Sequence, residues 1–436
     1  MTRRLLQALV LFVAASVFAL VVASWYYSVG RLDAQDALIP ITSKILVIFL
    51  VVLLLRYLLV AFLAVLKHVQ HASEPMVPTE YLPISIIFPA YNEGPVVESA
   101  IFSAMRQNYP NFEVIVVDDG STDDTYEKAT RIAANFGPNQ LRVITKPNGG
   151  KASALNTGIA QARGELILCT DADSRLDGNA LMRAAAHFYD PYVGAVAGNV
   201  KVANRLNHLT RLQALEYLEG LNLIRSAQGY FNRVTVIPGP LGLFRKEALL
   251  EVGAYEMDTF AEDCDLTLRL LLAGWDVKYE SDAIVWTEAP ESLSALVLQR
   301  YRWGRGVLQA IIKNRRFLFG GCPTAGTWLM FWFFVLDGIA LPAMNVISIA
   351  CFLFAAAGGS MSVLIPLWWA QLTLLDVMIA MMCIAAEGEQ LSLVLTAVSY
   401  RLFFIPFVDV LRCLTWFDEL FDVKMKWMRL ERFGRI

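Results

Sequence analysis

The sequence predicts an α/β domain with a Rossmann-like sheet, inserted between transmembrane helices. Three observations favour this fold class. Apolar residues are concentrated at both ends of the 436-residue chain, whereas residues 84–290 have an ordinary soluble composition. Within that middle segment, short runs of Val and Ile alternate with helical patterns. This alternation is typical of a parallel sheet with helices on both faces.

The composition indicates a membrane protein. Charged residues make up 18% of the chain and hydrophobic residues 56%, whereas soluble domains carry about 25% charged residues. The net charge of −3 is too balanced for a nucleic-acid partner. The apolar content also excludes a disordered chain. The six cysteines form no Cys-x-x-Cys pair, so neither a disulfide framework nor a zinc site is predicted.

Residues 1–66 are predicted to form two transmembrane helices. Leu5–Tyr27 and Ile45–Leu66 each reach the roughly 20 apolar residues that a bilayer requires. A cleaved signal peptide is the alternative for the first run, although that run is long for a signal sequence and a second span follows. Arg3 and Arg4 favour a cytoplasmic N-terminus.

The middle of the chain reads as alternating strands and helices after a polar, proline-containing linker at 67–83. Strands are predicted at Ile84–Phe88, Glu113–Val117, Leu141–Thr145 and Glu165–Thr170. Helices are predicted at Val96–Gln107, Asp123–Asn135 and Lys151–Arg163. In such sheets, ligands bind beyond the carboxyl ends of the strands. We therefore expect the functional site at that edge.

The C-terminal part is predicted to contain an interfacial basic helix at 291–325, transmembrane or re-entrant segments at 326–416, and a basic tail at 417–436. The candidate spans are Trp328–Ala357, Val363–Ala386 and Leu391–Trp416. Three spans would put the basic tail outside the cell, against the charge rule. Leu391–Trp416, which an arginine and a proline interrupt, is therefore expected to be re-entrant or interfacial, and the number of crossings stays open.

Two of the predicted strands end in acidic clusters. Asp171-Ala172-Asp173 follows the fourth strand, and two carboxylates one residue apart can share a hard divalent cation with substrate phosphates. Asp118-Asp119-Gly120 follows the second strand, where carboxylates can accept hydrogen bonds from a base or ribose. Helix capping and Asx turns are the competing interpretations. The sequence favours a Mg²⁺ or Mn²⁺ site at Asp171 and Asp173.

Two further motifs lie later in the chain. Ala261-Glu262-Asp263 precedes an amphipathic helix, so its acids either stabilise the helix N-terminus or include a general base. Gln299-Arg300-Tyr301-Arg302-Trp303 lies on the basic segment before the membrane. Binding to anionic headgroups explains its arginines. It does not explain Gln299 and Trp303 at this spacing.

In this order, the motifs resemble those of the processive, membrane-embedded family 2 glycosyltransferases. The ordered set is Pro89-Ala90-Tyr91-Asn92-Glu93, Asp118-Asp119-Gly120, Asn148-Gly149-Gly150-Lys151, Asp171-Ala172-Asp173, Gly239-Pro240-Leu241-Gly242, Glu262-Asp263 and Gln299-x-x-Arg302-Trp303. The resemblance covers about residues 84–310 and is nearest to poly-N-acetylglucosamine synthases, with chitin-oligosaccharide, hyaluronan and cellulose synthases related. One departure is Ala261, where the family usually has threonine.

The resemblance implies a GT-A-type catalytic domain that polymerises a UDP-sugar, foremost UDP-N-acetylglucosamine, into an exported polysaccharide by inverting β-transfer. The implied partners are the donor, the growing polysaccharide and membrane lipid, and a small membrane partner subunit stays open. The implied location is the cell membrane, with the catalytic domain in the cytoplasm.

The resemblance also implies roles for the matching residues. The donor-binding residues would be Glu93, Asp118, Asp119 and Lys151 for the nucleotide, Asp171 and Asp173 for the metal and diphosphate, and Gln299 and Arg302 for the diphosphate. Asp263, beside Glu262, would be the general base, a role that contributes roughly 10²–10⁴ in rate. Trp303 would stack under the acceptor sugar.

Two other functions stay open. A single-transfer glycosyltransferase acting on a lipid carrier would share the acidic motifs, but gives no reason for the motif that ends in Trp303. A transporter with a regulatory soluble domain needs no ordered set of nucleotide-sugar motifs.

Asp337, Asp376, Arg401 and Asp409 lie within otherwise apolar C-terminal segments. An ionised side chain that faces lipid at the bilayer centre costs at least ~2.5 kcal/mol. We therefore expect some of these residues to line a hydrated channel for the polysaccharide. An internal ion pair, such as Arg401 with an aspartate, is the alternative.

Overall fold

A computed structural model of the protein describes residues 38–357 and 364–421, together with 423 and 434. The predicted span Leu5–Tyr27 and most of the basic tail lie outside the described residues. A long apolar helix, α1 (Leu38–His71), leads to the α/β domain. This helix continues beyond the predicted linker start at residue 67. The side chains of Lys67 and His71 both contact Glu74 there, which stabilises the extra turn.

The domain is built on one eight-stranded mixed sheet. Its strands are β1 (Ile84–Ala90), β2 (Phe112–Asp118), β3 (Leu141–Thr145), β4 (Leu166–Cys169), β5 (Ser174–Leu176), β6 (Val193–Val202), β7 (Gly242–Arg245) and β8 (Asp276–Thr287). Their order is β3-β2-β1-β4-β7-β6-β8-β5. The first four strands in this order are parallel, as predicted. Strand β7 runs antiparallel to both β4 and β6, and this half of the sheet was not predicted.

Helices cover both faces of the sheet. They are α2 (Val97–Met105), α3 (Thr125–Ala133), α4 (Lys151–Gln161), α5 (Ala180–Ala185), α6 (His208–Glu216), α7 (Leu223–Gly229), α8 (Lys246–Glu251), α9 (Glu262–Ala273) and α10 (Leu293–Lys313). Successive side chains of a strand point to opposite faces. Accordingly, Ile86 and Phe88 belong to one buried cluster and Ile87 to another. The run of apolar residues in β1 is therefore explained by burial on both sides.

The strand register brings the chemically interesting ends together. Ala90 pairs with Asp118, and Ile87 pairs with Cys169. The carboxyl ends of β1, β2 and β4 therefore meet at one edge of the sheet. Gly120 turns the chain after β2 with a φ of 75°, and a Cβ there would lie 2.9 Å from the backbone nitrogen of Asn148. Only glycine suits both the conformation and the space.

The C-terminal part of the described chain is helical and apolar. It comprises α11 (Ala325–Val335), α12 (Leu341–Ala357), α13 (Leu364–Glu387), α14 (Thr396–Ser399) and α15 (Ile405–Leu420). Single π-helical turns lead from α11 into α12 and from α14 into α15. Four segments of the described chain are long and apolar enough to cross a membrane: Ile48–His71, Ala325–Cys351, Ala370–Glu387 and Leu391–Leu420. The last of these contains Leu391–Trp416, for which a re-entrant or interfacial path is predicted.

The α/β domain packs directly on these C-terminal helices and on α1, and we call α1 and α11 to α15 together the bundle. The stretch from α6 to α7 lies between β6 and the bundle helices α1 and α13. Helix α10 packs against α15. Two basic residues of α10 form ion pairs within the protein, Arg305 with Glu419 and Lys313 with Asp265. These cations therefore connect α10 to its neighbouring helices.

Candidate active site

Backbone donors hold the acidic cluster after β2. The buried carboxylate of Asp119 accepts hydrogen bonds from the backbone nitrogens of Gly149 (3.0 Å) and Gly150 (2.7 Å). Lys146 Nζ also lies 2.5 Å from Asp119 Oδ1. The neighbouring Asp118 accepts a hydrogen bond of 2.9 Å from Thr145 Oγ1. These contacts connect the strand end to the loop that begins α4.

The turn after β1 is held against the turn after β2. Asn92 has a φ of 56°, and its Oδ1 accepts hydrogen bonds from the backbone nitrogens of Thr122 (2.7 Å) and Asp123 (3.2 Å). Asparagine tolerates this left-handed conformation better than most residues. Glu93 follows directly, so its position is set by a turn that is fixed at two points.

A large cavity lies between the sheet edge, α9, α10 and the bundle. It encloses about 1700 Å³ of empty space, which includes the open solvent at its mouth. Eight of the predicted site residues line it, namely Lys151, Asp171, Asp173, Glu262, Asp263, Gln299, Arg302 and Trp303. We call it the catalytic cavity. The predicted uridine-binding residues Glu93, Asp118 and Asp119 do not line it. They lie at the carboxyl ends of β1 and β2. Asp119 bonds to the backbone of Gly149 and Gly150, which directly precede Lys151 in the cavity wall.

Lys151 connects two of the acidic motifs across the cavity. Its Nζ lies 2.7 Å from Asp171 Oδ1 and 3.1 Å from Glu262 Oε1. Burial acts to lower the pKa of Lys151, but the charges of Asp171, Glu262 and Asp263 outweigh it, and the pKa is raised. The lysine therefore remains protonated and offsets part of the negative charge of the acids.

The residues at the end of β4 fit a divalent metal. Asp171 and Asp173 both line the cavity and offer carboxylate oxygens, the ligands that Mg²⁺ and Mn²⁺ prefer. Gly239 leaves room for this group, because a Cβ at that position would lie 2.9 Å from Asp171 Oδ2 and 2.8 Å from Lys151 Nζ. The Gly-Pro-Leu-Gly stretch thus opens space around the predicted metal ligands.

Asp263 lies in the first turn of α9, where its Oδ1 accepts a hydrogen bond from the backbone nitrogen of Cys264 at 2.8 Å. Burial and the charge of Glu262 raise the pKa of Asp263 to about 6, while Lys151 acts to lower it. A carboxylate with this pKa is ionised at neutral pH and is more basic than an ordinary aspartate. It therefore suits general-base catalysis.

Trp303 is supported from behind by a buried arginine that sequence reasoning missed. The guanidinium of Arg300 lies 4.2 Å from the centroid of the Trp303 ring. Arg300 is itself held by the carboxylate of Glu216 and by Gln299. A cation over one indole face is favourable, and it fixes the ring plane. Arg300 was visible only as an unassigned position inside the predicted motif.

Arg225 is a second cavity residue that the sequence did not reveal. Its Nε donates to the backbone oxygen of Val236 and its Nη1 donates to Asn222 Oδ1, both at 3.2 Å. Burial lowers the pKa of Arg225. In the sequence, Arg225 is marked only by its position one helical turn before Gln228, which also lines the catalytic cavity.

A second cavity of about 840 Å³ lies within the bundle, and we call it the bundle cavity. It shares Gly220, Leu221, Ile224, Asp337 and Arg412 with the catalytic cavity. Three of the four charged residues singled out in the apolar segments line it, namely Asp337, Arg401 and Asp409.

The charged side chains of the bundle are paired. Asp337 lies 2.5 Å from the guanidinium of Arg56. Asp409 accepts a hydrogen bond of 2.6 Å from Asn345. Asp376 lines neither cavity and forms a buried ion pair with Arg401. The internal pair expected as the alternative is thus present, and it involves a different aspartate from those that line the cavity.

Comparison with known proteins agrees with this architecture. Residues 82–306 match the family model described as glycosyltransferase like family 2. This match spans half of the chain, and the protein belongs to that family. Its fold also resembles that of a solved mannosyltransferase, PcManGT from Pyrobaculum calidifontis in complex with GDP-Man and Mn²⁺. The TM-score is 0.62 at 21% identity, over 96% of this chain and 100% of the other. The predicted GT-A-type fold is confirmed.

The curated relatives are more specific. The chain is 34% identical over 232 residues to poly-beta-1,6-N-acetyl-D-glucosamine synthase of Staphylococcus aureus (strain COL). It is also 34% identical over 234 residues to the enzyme of that name from Staphylococcus epidermidis. Both matches cover 53% of this chain and 56% of the relative. The chain therefore spans about half the length of the curated relatives it matches.

Proposed function

We propose that this protein is a processive, inverting β-glycosyltransferase that polymerises a UDP-sugar into a polysaccharide. The relatives favour UDP-N-acetylglucosamine as the donor. One observation carries the proposal: the predicted metal ligands, general base, diphosphate clamp and sugar platform line a single cavity. That cavity shares wall residues with a second one inside the bundle.

The chain's own residues bind and orient the donor. Asp171 and Asp173 would hold a divalent metal ion, Mg²⁺ or Mn²⁺, which would supply positive charge to the diphosphate. Gln299 and Arg302 clamp the same diphosphate from α10. The charge of Arg302 stabilises the leaving UDP, whose negative charge grows as the bond to the sugar breaks. The uridine lies toward the sheet edge formed by the ends of β1 and β2.

Asp263 performs the proton transfer. Its carboxylate takes the proton of the acceptor hydroxyl, and the acceptor oxygen attacks the anomeric carbon from the face opposite UDP. The new glycosidic bond forms as the bond to UDP breaks, so the configuration at the anomeric carbon inverts. A positioned base of this kind contributes roughly 10²–10⁴ in rate.

Trp303 holds the acceptor end, and the product leaves through the bundle. The indole presents a flat apolar surface to the acceptor sugar while Arg300 supports the ring from the other side. The polysaccharide then passes the residues shared by the two cavities. We place the catalytic domain on the cytoplasmic side of the cell membrane. Arg3 and Arg4 favour a cytoplasmic N-terminus, and the two predicted N-terminal spans return the chain to that side.

Release of UDP from a panel of UDP-sugars tests this function. The purified full chain in lipid nanodiscs is incubated with each donor, with Mg²⁺, Mn²⁺ or excess chelator, and the product is sized. We expect the fastest release from UDP-N-acetylglucosamine with a metal present. Excess chelator and Asp173→Ala should both abolish it, with thermal unfolding of the variant showing that it folds.

Each alternative gives a different result. Full activity in excess chelator would refute the metal site. A product that is only a monoglycosylated lipid would favour the single-transfer enzyme, and absence of UDP release with every donor would reject the proposal.

A further inference from the structure

A single π-helical turn, Tyr217–Asn222, interrupts the helix between α6 and α7. Such turns are rare in proteins, and those that occur frequently lie at functional sites. Tyr217 lines the catalytic cavity, Gly220 and Leu221 line both cavities, and Glu219 lines the bundle cavity. This turn is therefore part of the wall at which the two cavities meet.

Glu219 is buried here without a hydrogen-bond partner. Glu219 is only 6% exposed, and neither of its carboxylate oxygens bonds to any of the described residues. Other acids of the same cavity are paired, Glu216 with Arg300 and Asp337 with Arg56. A buried polar group that lacks a partner destabilises the fold. Its retention at a cavity wall points to a ligand.

The surroundings of Glu219 favour its neutral form. Burial and the negative charge of Asp376 raise the pKa of Glu219 well above that of an ordinary glutamate, against the opposing effect of Arg401. A protonated carboxyl group both donates and accepts hydrogen bonds. It carries no net charge and so does not attract a cation. This matches the hydroxyl and amide groups of a neutral sugar.

We propose that Glu219 binds a hexose or N-acetylhexosamine unit of the newly made polysaccharide as it passes from the catalytic cavity into the bundle cavity. This inference rests on the proposed function and adds a binding residue to it. A neutral carboxyl group suits the task, since a passing chain must be bound strongly enough to enter and weakly enough to leave.

Three variants separate binding from a structural role. Glu219→Leu removes both polar oxygens and keeps similar bulk, and Glu219→Met serves if the leucine variant does not purify. Glu219→Gln keeps a donor and an acceptor. The matched control is Glu280→Gln, because Glu280 is 1% exposed, bonds to His187 and lines neither cavity.

The experiment measures polymer length at equal UDP release, together with thermal unfolding, for the full chain in lipid nanodiscs with UDP-N-acetylglucosamine. We expect Glu219→Leu to shorten the mean product about twofold to tenfold, as loss of one hydrogen bond predicts. Its Tm should stay equal or rise. Glu219→Gln should remain within about twofold of wild-type length. Glu280→Gln should lower Tm without shortening the product.

The contrary results are distinct. Wild-type length in the leucine variant would overturn the inference while the proposed function stands. Shortening that follows the loss of Tm in both the leucine variant and Glu280→Gln would assign Glu219 a structural role instead. A wild-type product of one sugar would overturn the proposed function, and the inference with it.

Discussion

At the scale of single residues, the site is shaped by charges that are buried close together. Lys151 contacts acids from two separate motifs, Asp171 and Glu262. Asp263 lies within the influence of both Glu262 and Lys151, which act on its pKa in opposite directions. Because burial adds to the effect of Glu262, the pKa of Asp263 rises to about 6. The basicity of Asp263 is thus set by its neighbours as well as by its own chemistry.

Asp263→Asn should leave UDP-sugar binding near that of the wild type and lower kcat at least about 100-fold, because only proton acceptance is lost. In the wild type, kcat/KM should rise with pH up to about 6 and then level off, since only the ionised carboxylate accepts a proton. Initial rates across this pH range and donor binding measured separately check both points.

Asp265→Asn is the control for that experiment. Asp265 is also an aspartate and lies two residues from Asp263. It bonds to Arg269 and Lys313 and does not line the catalytic cavity. Its substitution should therefore lower the thermal stability of the protein and not the catalytic rate.

The raised pKa of Asp263 means that its ionisation, as pH rises through about 4–6, destabilises the folded protein. Asp263→Asn removes this ionisation and should therefore not lose stability at pH 7. More than about a tenth of the wild-type rate in Asp263→Asn would contradict the assignment.

Trp303→Ala should shorten or abolish the polymer while UDP binding is retained. The indole faces the catalytic cavity, and its loss removes the surface on which the acceptor sugar stacks. Product size and UDP affinity are the measurements. Trp275→Ala is the control, because Trp275 bonds to Glu251 and lines neither cavity. Equal product length in Trp303→Ala and wild type would show that the acceptor is held elsewhere.

At the scale of elements, the first half of the sheet could be predicted from the sequence. Strand β3 has the predicted bounds, and β1, β2 and β4 differ from theirs by one or two residues. Each is a run of Val, Ile and Leu that ends at a turn, and burial on both faces explains that composition. Local pattern and tertiary burial agree in these strands.

The second half of the sheet was missed for a physical reason. Strand β6 is buried along its whole length, yet it contains Asn199 and Lys201. Asn199 donates to Glu387 at 2.7 Å, and Lys201 lies 3.1 Å from the same carboxylate. Glu387 is almost 200 positions away and ends a bundle helix. Partners that arrive from such a distance leave no local pattern, so the sequence did not predict this strand.

The site shows the same division. Residues in ordered motifs, such as Asp173 and Trp303, could be predicted because their types and spacing carry the signal. Arg300 and Glu216 could not, because their roles depend on an ion pair between α6 and α10. Glu219 could not, because an unpartnered carboxyl group is a property of the packed structure alone.

Asp337→Asn and Asp409→Asn test the bundle cavity as an exit path. Both aspartates line it, so a change in their polarity should reduce polymer length or export when products are compared at equal UDP release. Glu387→Gln is the control, because Glu387 ends the bundle helix α13, pairs with Lys201 and lines neither cavity. It should reduce stability instead. Unchanged polymer length in both cavity variants would leave these aspartates a structural role only.

At the scale of the whole molecule, a catalytic domain and a membrane bundle are fixed to one another. Helix α10 joins them, with Trp303 on the catalytic cavity and Arg305 bonded to Glu419 in the last bundle helix, α15. The wall of the catalytic cavity continues into that of the bundle cavity through Asp337 and Arg412. Under the proposed function, this shared wall lies where the product would leave the catalytic cavity for the bundle.

In processive synthesis, one bound chain is extended many times before release. A pulse-chase measurement distinguishes this from release after each addition. The purified full chain receives labelled UDP-N-acetylglucosamine for a short pulse and then an excess of unlabelled donor, and the labelled product is sized over time. We expect label present in short chains to move into long polymer, because each chain is proposed to stay bound between Trp303 and the bundle cavity. Label that remains in short oligosaccharides, or in a lipid with a single sugar, would contradict it.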